Sequence, residues 1–199
     1  MSARLTRGVA ALLAAATLPL AACSPADDGD EVAAAEGEEV TNGTLASELA
    51  DLDGFSFVES TLDDTGLSTA FDGAAAYTVL APSDAAFESL GDEAALLSQP
   101  QNRAIAVALV RDHVLPGALT PDDIRNAVAS TDGGEVTMTT LGDSTITFSM
   151  NGEDLMASID GGEPTLLPTS WTRASNGVVI PIDGVLGKLP PLQETPANT

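Results

Sequence analysis

The 199 residues contain one cysteine, one histidine, one tryptophan and one tyrosine. A single cysteine excludes a disulfide framework within the chain and any zinc site with two or more thiolates. A single histidine excludes the two-histidine zinc helix and other histidine-cluster metal centres. Positive charge is equally scarce: 7 Lys and Arg stand against 30 Asp and Glu, a formal net charge of -23. Nucleic-acid phosphates require a basic patch, and a membrane-surface helix requires a basic face, so both classes are excluded. No apolar run reaches the roughly 20 residues of a membrane span. What the chain does have is 44% hydrophobic residues, enough to bury a core.

Residues 1–22 carry Arg4 and Arg7, no acid, and an apolar run from Val9 to Leu20 rich in Ala and Leu. This is the layout of a secretory signal peptide. Leu20-Ala21-Ala22-Cys23 follows, and the only thiol of the chain stands just after the apolar run. These four residues resemble the lipobox of bacterial lipoproteins. The resemblance implies lipid attachment at Cys23, cleavage before it, and anchoring to the outer face of a cell membrane or outer membrane through two or three acyl chains. One chain alone would hold a protein only marginally.

Residues 23–41 read as a tether. Asp27, Asp28, Asp30, Glu31, Glu36, Glu38 and Glu39 occur there without a basic residue or an aromatic ring. Such a segment cannot bury enough apolar surface to order itself, and its charges extend it. Residues 190–199, with three prolines, read as a flexible tail. The domain is expected over 42–189.

Within it, Leu45, Leu49 and Leu52, then Phe55, Val58 and Leu62, fall at helical spacing, with Gly66 as a stop. Leu67–Phe71 suits one further helical turn. Tyr77–Ala81 reads as a buried strand ended by Pro82, and Ser83 as the cap of a helix that buries Phe87 and Leu90. Residues 101–110 read as a helix with Ile105, Ala108 and Leu109 on its apolar face. Thr120-Pro121-Asp122-Asp123 is a helix start. After residue 134 the period becomes two: Val136, Met138 and Thr140, then Ile146, Phe148 and Met150, with a hairpin signal at Asn151-Gly152. Strands are expected at 155–159, 166–172 and 178–182, with Asn176-Gly177 as a positive-φ turn between the last two. Helices first and antiparallel strands later make an α+β fold.

Three segments together resemble the fasciclin domain family. They are Tyr77-Thr78-Val79-Leu80-Ala81-Pro82-Ser83-Asp84-Ala85-Ala86-Phe87, then His113-Val114-Leu115-Pro116-Gly117, and finally Asn176-Gly177-Val178-Val179-Ile180-Pro181-Ile182-Asp183-Gly184-Val185-Leu186. The resemblance covers roughly residues 42–189. It implies a β-wedge or sandwich with helices packed along one side and the first and last segments adjacent in the core. It also implies that Thr78, Ala81, Pro82, Phe87, His113, Pro116, Gly117, Asn176, Gly177, Val178, Ile182, Asp183 and Gly184 serve structure or adhesion. Two positions depart from the family pattern. Asp112 stands where many members have Tyr beside the histidine, which weakens an integrin-type contact. Pro181 removes a backbone donor from the last strand, which should be unpaired or edge-like there.

Chemistry is sparse. His113 reads as a buried strut and not a base, and no serine sits in a nucleophile-elbow sequence. Asp51, Asp53 and Gly54 start like a calcium loop but lack the later ligands. Trp171 and Tyr77 read as core packing. No enzyme activity, cofactor or metal is expected. The sequence suits an extracytoplasmic lipoprotein that binds an extracellular protein, the matrix or an envelope partner. The alternative is a non-adhesive envelope lipoprotein that scaffolds a membrane complex or carries a ligand.

Overall fold

Residues 77–82 and 177–182 run side by side and parallel through the middle of the molecule, paired one to one from Tyr77 with Gly177 to Pro82 with Ile182. This is seen in a computed structural model that describes residues 38–193. The elements in chain order are β1 (Glu38–Val40), α1 (Leu45–Asp51), α2 (Ser56–Thr65), α3 (Leu67–Phe71), β2 (Tyr77–Pro82), α4 (Asp84–Glu88) and α5 (Asp92–Leu97). A 3-10 turn (Pro100–Asn102) leads to α6 (Arg103–Asp112), β3 (Val114–Pro116) and α7 (Pro121–Ser130). The strands β4 (Glu135–Thr139), β5 (Thr145–Asn151), β6 (Asp154–Ile159), β7 (Thr165–Leu167), β8 (Trp171–Ala174) and β9 (Gly177–Ile182) follow. A five-stranded sheet has the order β1-β8-β9-β2-β3, and a four-stranded antiparallel sheet the order β4-β5-β6-β7. This is the expected α+β class.

The central pair β2 and β9 is a wall between two cores. Val79, Ala81 and Val179 face a cluster built from the helices, with Leu45, Leu49, Phe71, Phe87 and Leu97. Leu80, Val178, Ile180 and Ile182 face the other way, onto Ile146, Phe148, Leu155 and Leu167 of the second sheet. Both faces are buried, which explains why these strands read as continuous apolar runs and do not alternate. The helices α1–α6 contribute to the first core, whereas α7 places Ile124 and Val128 in the second. The packing of helices along one side therefore holds for all but α7.

Local chemistry sets the boundaries. Thr44 accepts the N–H of Ser47 at the start of α1, and Gly66 ends α2 at φ +71°. Ser83 caps α4, and Thr120 with Asp123 forms a capping box on α7.

Several expectations are corrected. The strand expected over 166–172 is two strands in different sheets: β7 pairs with β6, and β8 pairs with β9 and β1. Pro168 lies between them and cannot donate to a ladder. On α6 the buried residues are Ala106, Leu109 and Val110, and Ala108 is exposed. The end of the expected tether is strand β1, which adds to the free edge of β8, with the N–H of Thr41 continuing the ladder to the carbonyl of Arg173. The start of the expected tail is tied down: Asn102 Oδ1 accepts the N–H of Gln193, and its Nδ2 donates to the carbonyl of Gln193. Residues 1–37 and 194–199, with the expected signal peptide and Cys23, lie outside the described residues. Among the described residues no helix is long and apolar enough to cross a membrane.

Candidate functional site

The residues singled out from sequence converge on the central strand pair and the turns at its ends. Thr78 is wholly buried on β2. Its hydroxyl donates to the carbonyl of Gly117 at 2.7 Å and accepts the N–H of Leu119 at 2.7 Å. Pro116 pairs with Tyr77, and the N–H of Gly117 reaches the carbonyl of Ala76. Gly117 has φ +95°, which strongly favours glycine. The Pro116-Gly117 turn is thus clamped to β2 by one threonine.

Asn176 does the same at the start of β9. Its Oδ1 accepts the first N–H of α1, at Leu45, at 2.8 Å. Its Nδ2 donates to the carbonyls of Phe71 and Gly73. One side chain therefore ties α1, α3 and the β8–β9 turn together. Gly177 does not adopt a positive φ, contrary to expectation. A Cβ there would lie 2.2 Å from the carbonyl oxygen of Tyr77 and 2.5 Å from Leu45 Cδ1. Glycine is required by the close approach of β2 and α1, not by the turn.

His113 ends α6 and is 2% exposed. Its Nε2 accepts the N–H of Leu186 at 2.9 Å, so Nδ1 carries the ring proton and donates to the carbonyl of Leu109 at 2.7 Å. Burial pushes its pKa down from 6.5 to about 4, against smaller opposing effects of the Leu109 carbonyl and the Asp112 charge. The ring is a neutral strut joining α6 to the segment after β9, with both nitrogens engaged.

The other motif residues fill space. Ala81 and Val178 are fully buried, Pro82 is buried beside Ile182, and Phe87 packs on Phe57 with ring centroids 4.0 Å apart. The carbonyl of Ile182 accepts the N–H of Ser83. Pro181 lies beyond the last pairing of β9 with β8, at Thr172 and Val179, so β9 has no β8 partner on that side. Asp183 is exposed, and Gly184 lies against Thr165, whose Cγ2 would be 2.8 Å from an added Cβ. Among the described residues no three His, Cys, Asp or Glu side chains converge as a metal centre would need.

Sequence reasoning reads Asp84, like Ser83, as a local cap of its own helix and misses its reach to α2. The N-cap of α2 is Phe55, which offers no capping side chain. Asp84 supplies it from the β2–α4 turn: Oδ2 accepts the N–H and hydroxyl of Ser56, and Oδ1 the N–H of Phe57. Burial raises its pKa, but these hydrogen bonds outweigh that and hold the carboxyl below its usual 3.8. The available signal was a helix start without its own Ser, Thr, Asp or Asn cap. Also missed was a groove between α2 on one side and α4–α5 on the other, floored by Phe57.

A family model described as the fasciclin domain matches residues 53–188. Among solved structures, a FAS1 domain pair from the insect cell adhesion molecule Fasciclin I is similar, with TM-score 0.56 and 22% identity. The match covers 69% of this chain and 46% of that one, so this chain spans less than half of the pair. At that identity the likeness speaks for the fold alone. No curated protein matches the chain.

Proposed function

The chain belongs to the fasciclin domain family, a module generally linked to cell adhesion, and from that premise we propose that it is a lipid-anchored binding module on the outer side of a membrane. The reading has two parts. The domain contacts another protein or the matrix, and Cys23 holds it at the membrane.

The observation that carries the first part is the use of the motif side chains. Thr78, His113 and Asn176 direct their hydrogen bonds into the domain's own backbone. A protein whose distinctive polar groups are spent on rigidity offers a partner a stable surface and no obvious reactive group. The second part rests on Leu20-Ala21-Ala22-Cys23 after the apolar run. The acidic segment that follows would repel itself and hold the domain away from the lipid headgroups.

Two experiments separate the parts. Beads coated with the protein should attach to cells or matrix above the level of blank beads, and equal attachment would sink the adhesion reading. In a host that processes lipoproteins, the native protein should partition into detergent and Cys23→Ser should not. Equal partitioning of the two would remove the anchor.

A further inference from the structure

A groove runs beside α2. Two cavities, of about 430 and 180 Å³, share Phe57, Ser60 and Ser98 and so form two lobes of one groove. Its walls are small: Ser56 and Ser60 from α2, and Ala95 and Ser98 from α5 and its end. The half-buried ring of Phe57 lies in the floor, fixed by its contact with Phe87 at 4.0 Å. From Ser56 to Asp64 the helix rises about 12 Å, room for about four extended residues.

The two ends differ in charge. At one end stand Asp84 and the exposed Glu88. Three donors hold Asp84 rigidly and keep it ionised, and a carboxylate has about four lone-pair sites, so one remains on Oδ1. At the other end Asp64 is paired with Arg103 at 3.4 Å, so a cation already stands there. A cation at the first end would lie near two carboxylates and an aromatic ring, groups that attract an ammonium or guanidinium.

We infer that this groove binds an extended basic segment of a partner protein, with a Lys or Arg seated between Phe57, Asp84 and Glu88. The occupant follows from charge. A second copy of this chain would bring a net charge of -23 to an acid-edged groove, and a nucleic acid or an anionic lipid would be repelled likewise. The hydroxyls of Ser56, Ser60 and Ser98 already donate to Asp84 and to the carbonyls of Phe57 and Ala94, and each keeps a lone pair that can accept a backbone N–H of the segment. The inference rests on the reading of the domain as a binding module, and adds a site and a chemical class of partner.

The test uses the full chain, labelled with nitrogen-15, at constant physiological salt. One probe is an acetylated pentapeptide with lysine first and alanine and serine after it. Its twin has glutamate in place of lysine. The expected result is saturable shifts at the amides of residues 56, 60, 88, 95 and 98 with the first peptide only. Binding should weaken at least threefold in Glu88→Gln and at least tenfold in Ala95→Arg, which fills the groove from an exposed position. Ser60→Lys is the second groove-filling variant if Ala95→Arg perturbs amides elsewhere. Shifts spread without saturation over the acidic surface would overturn the inference, as would equal binding of the twin or unchanged binding in the filled variants. Bead attachment keeps the two readings apart. Attachment without peptide binding removes the groove and spares adhesion, and peptide binding without attachment does the reverse.

Discussion

Leu186 donates its backbone N–H to Nε2 of His113 at 2.9 Å, deep in the molecule and 73 residues away along the chain. That bond requires a neutral ring. A protonated imidazole has no acceptor, and a charge at this depth would lack solvent.

The first prediction follows from this bond. The unfolded histidine takes a proton near pH 6.5, the folded one only near about 4. Between those values the unfolded chain binds more protons at this group, so its contribution to stability is complete above pH 6.5 and is lost as the pH drops toward 4. The loss should be on the order of 3 kcal/mol for this group. Urea midpoints measured from pH 7.5 to 4.5 should show the slope. His113→Gln preserves an acceptor and a donor without titrating, so it should flatten the slope in that window whatever its stability at pH 7.5. An unchanged slope in the variant would assign the effect elsewhere.

Asp84 leads to a second prediction, with a different pH range. Its carboxylate caps α2 from 27 and 28 residues away. Asp84→Ala leaves the N–H groups of Ser56 and Phe57 without their partner, at a cost of about 1–2 kcal/mol. Asp84→Asn, which keeps an acceptor but not the charge, should fall between. Because the folded pKa lies below the usual 3.8, the contribution of the charge is complete at neutral pH and disappears only as the pH falls through that lower value. Denaturant unfolding at pH 7 and at pH 3 would check this: the gap between wild type and Asp84→Asn should narrow at the lower pH.

Glycine chemistry separates two positions that look alike in sequence, Asn151-Gly152 and Asn176-Gly177. Gly152 has φ +65° and open space around its Cα. Asn tolerates that conformation, so Gly152→Asn should cost less than about 1 kcal/mol. Gly177 is crowded by the backbone oxygen of Tyr77, which cannot turn aside as a side chain could. Gly177→Ala should cost about 2–3 kcal/mol through overpacking. Thermal unfolding of the two variants in parallel would reveal a reversed order if the turn, not the strand contact, demanded the second glycine.

The contrast between these glycines shows what sequence could reveal. The start of α7 was legible because Thr120, Pro121 and Asp123 act on each other within three residues. The class of the fold was legible because the spacing of Leu45 and Leu49 and the alternation of Ile146 and Phe148 are local signals of helix and sheet. The adjacency of β2 and β9 came from the family segments, since no periodicity links residues 100 apart. What escaped was non-local. Pro168 divides 166–172 because the two halves find partners in different sheets. The buried face of α6 is turned by one residue, from Ala108 to Ala106 and Val110, to meet the helical core. Asp84 reaches α2, and Asn102 reaches Gln193, across 28 and 91 residues. The groove arises where the small residues of α2 and α5 face each other, a property of neither helix alone.

A last prediction concerns salt. The chain has 30 acids against 7 basic residues, and the ion pairs of Arg103 with Asp64 and of Arg125 with Asp122 lie at or near the surface. Such pairs contribute at most about 1 kcal/mol each, so most of the negative charge is held together against its own repulsion. That repulsion is spread over many side chains, and it depends on screening. The Debye length shortens from about 30 Å at 0.01 M salt to about 3 Å at 1 M, so repulsion between neighbouring carboxylates fades over that range. The unfolding temperature should therefore rise steadily from 0.01 to 1 M potassium chloride. Chloride is the suitable salt, because sulfate would also strengthen apolar burial and obscure the cause. The acidic surface would then be a liability in dilute solution that a saline medium relieves, in keeping with a domain suited to high ionic strength. A flat or falling unfolding temperature would mean that the carboxylates are already far enough apart to be indifferent to one another.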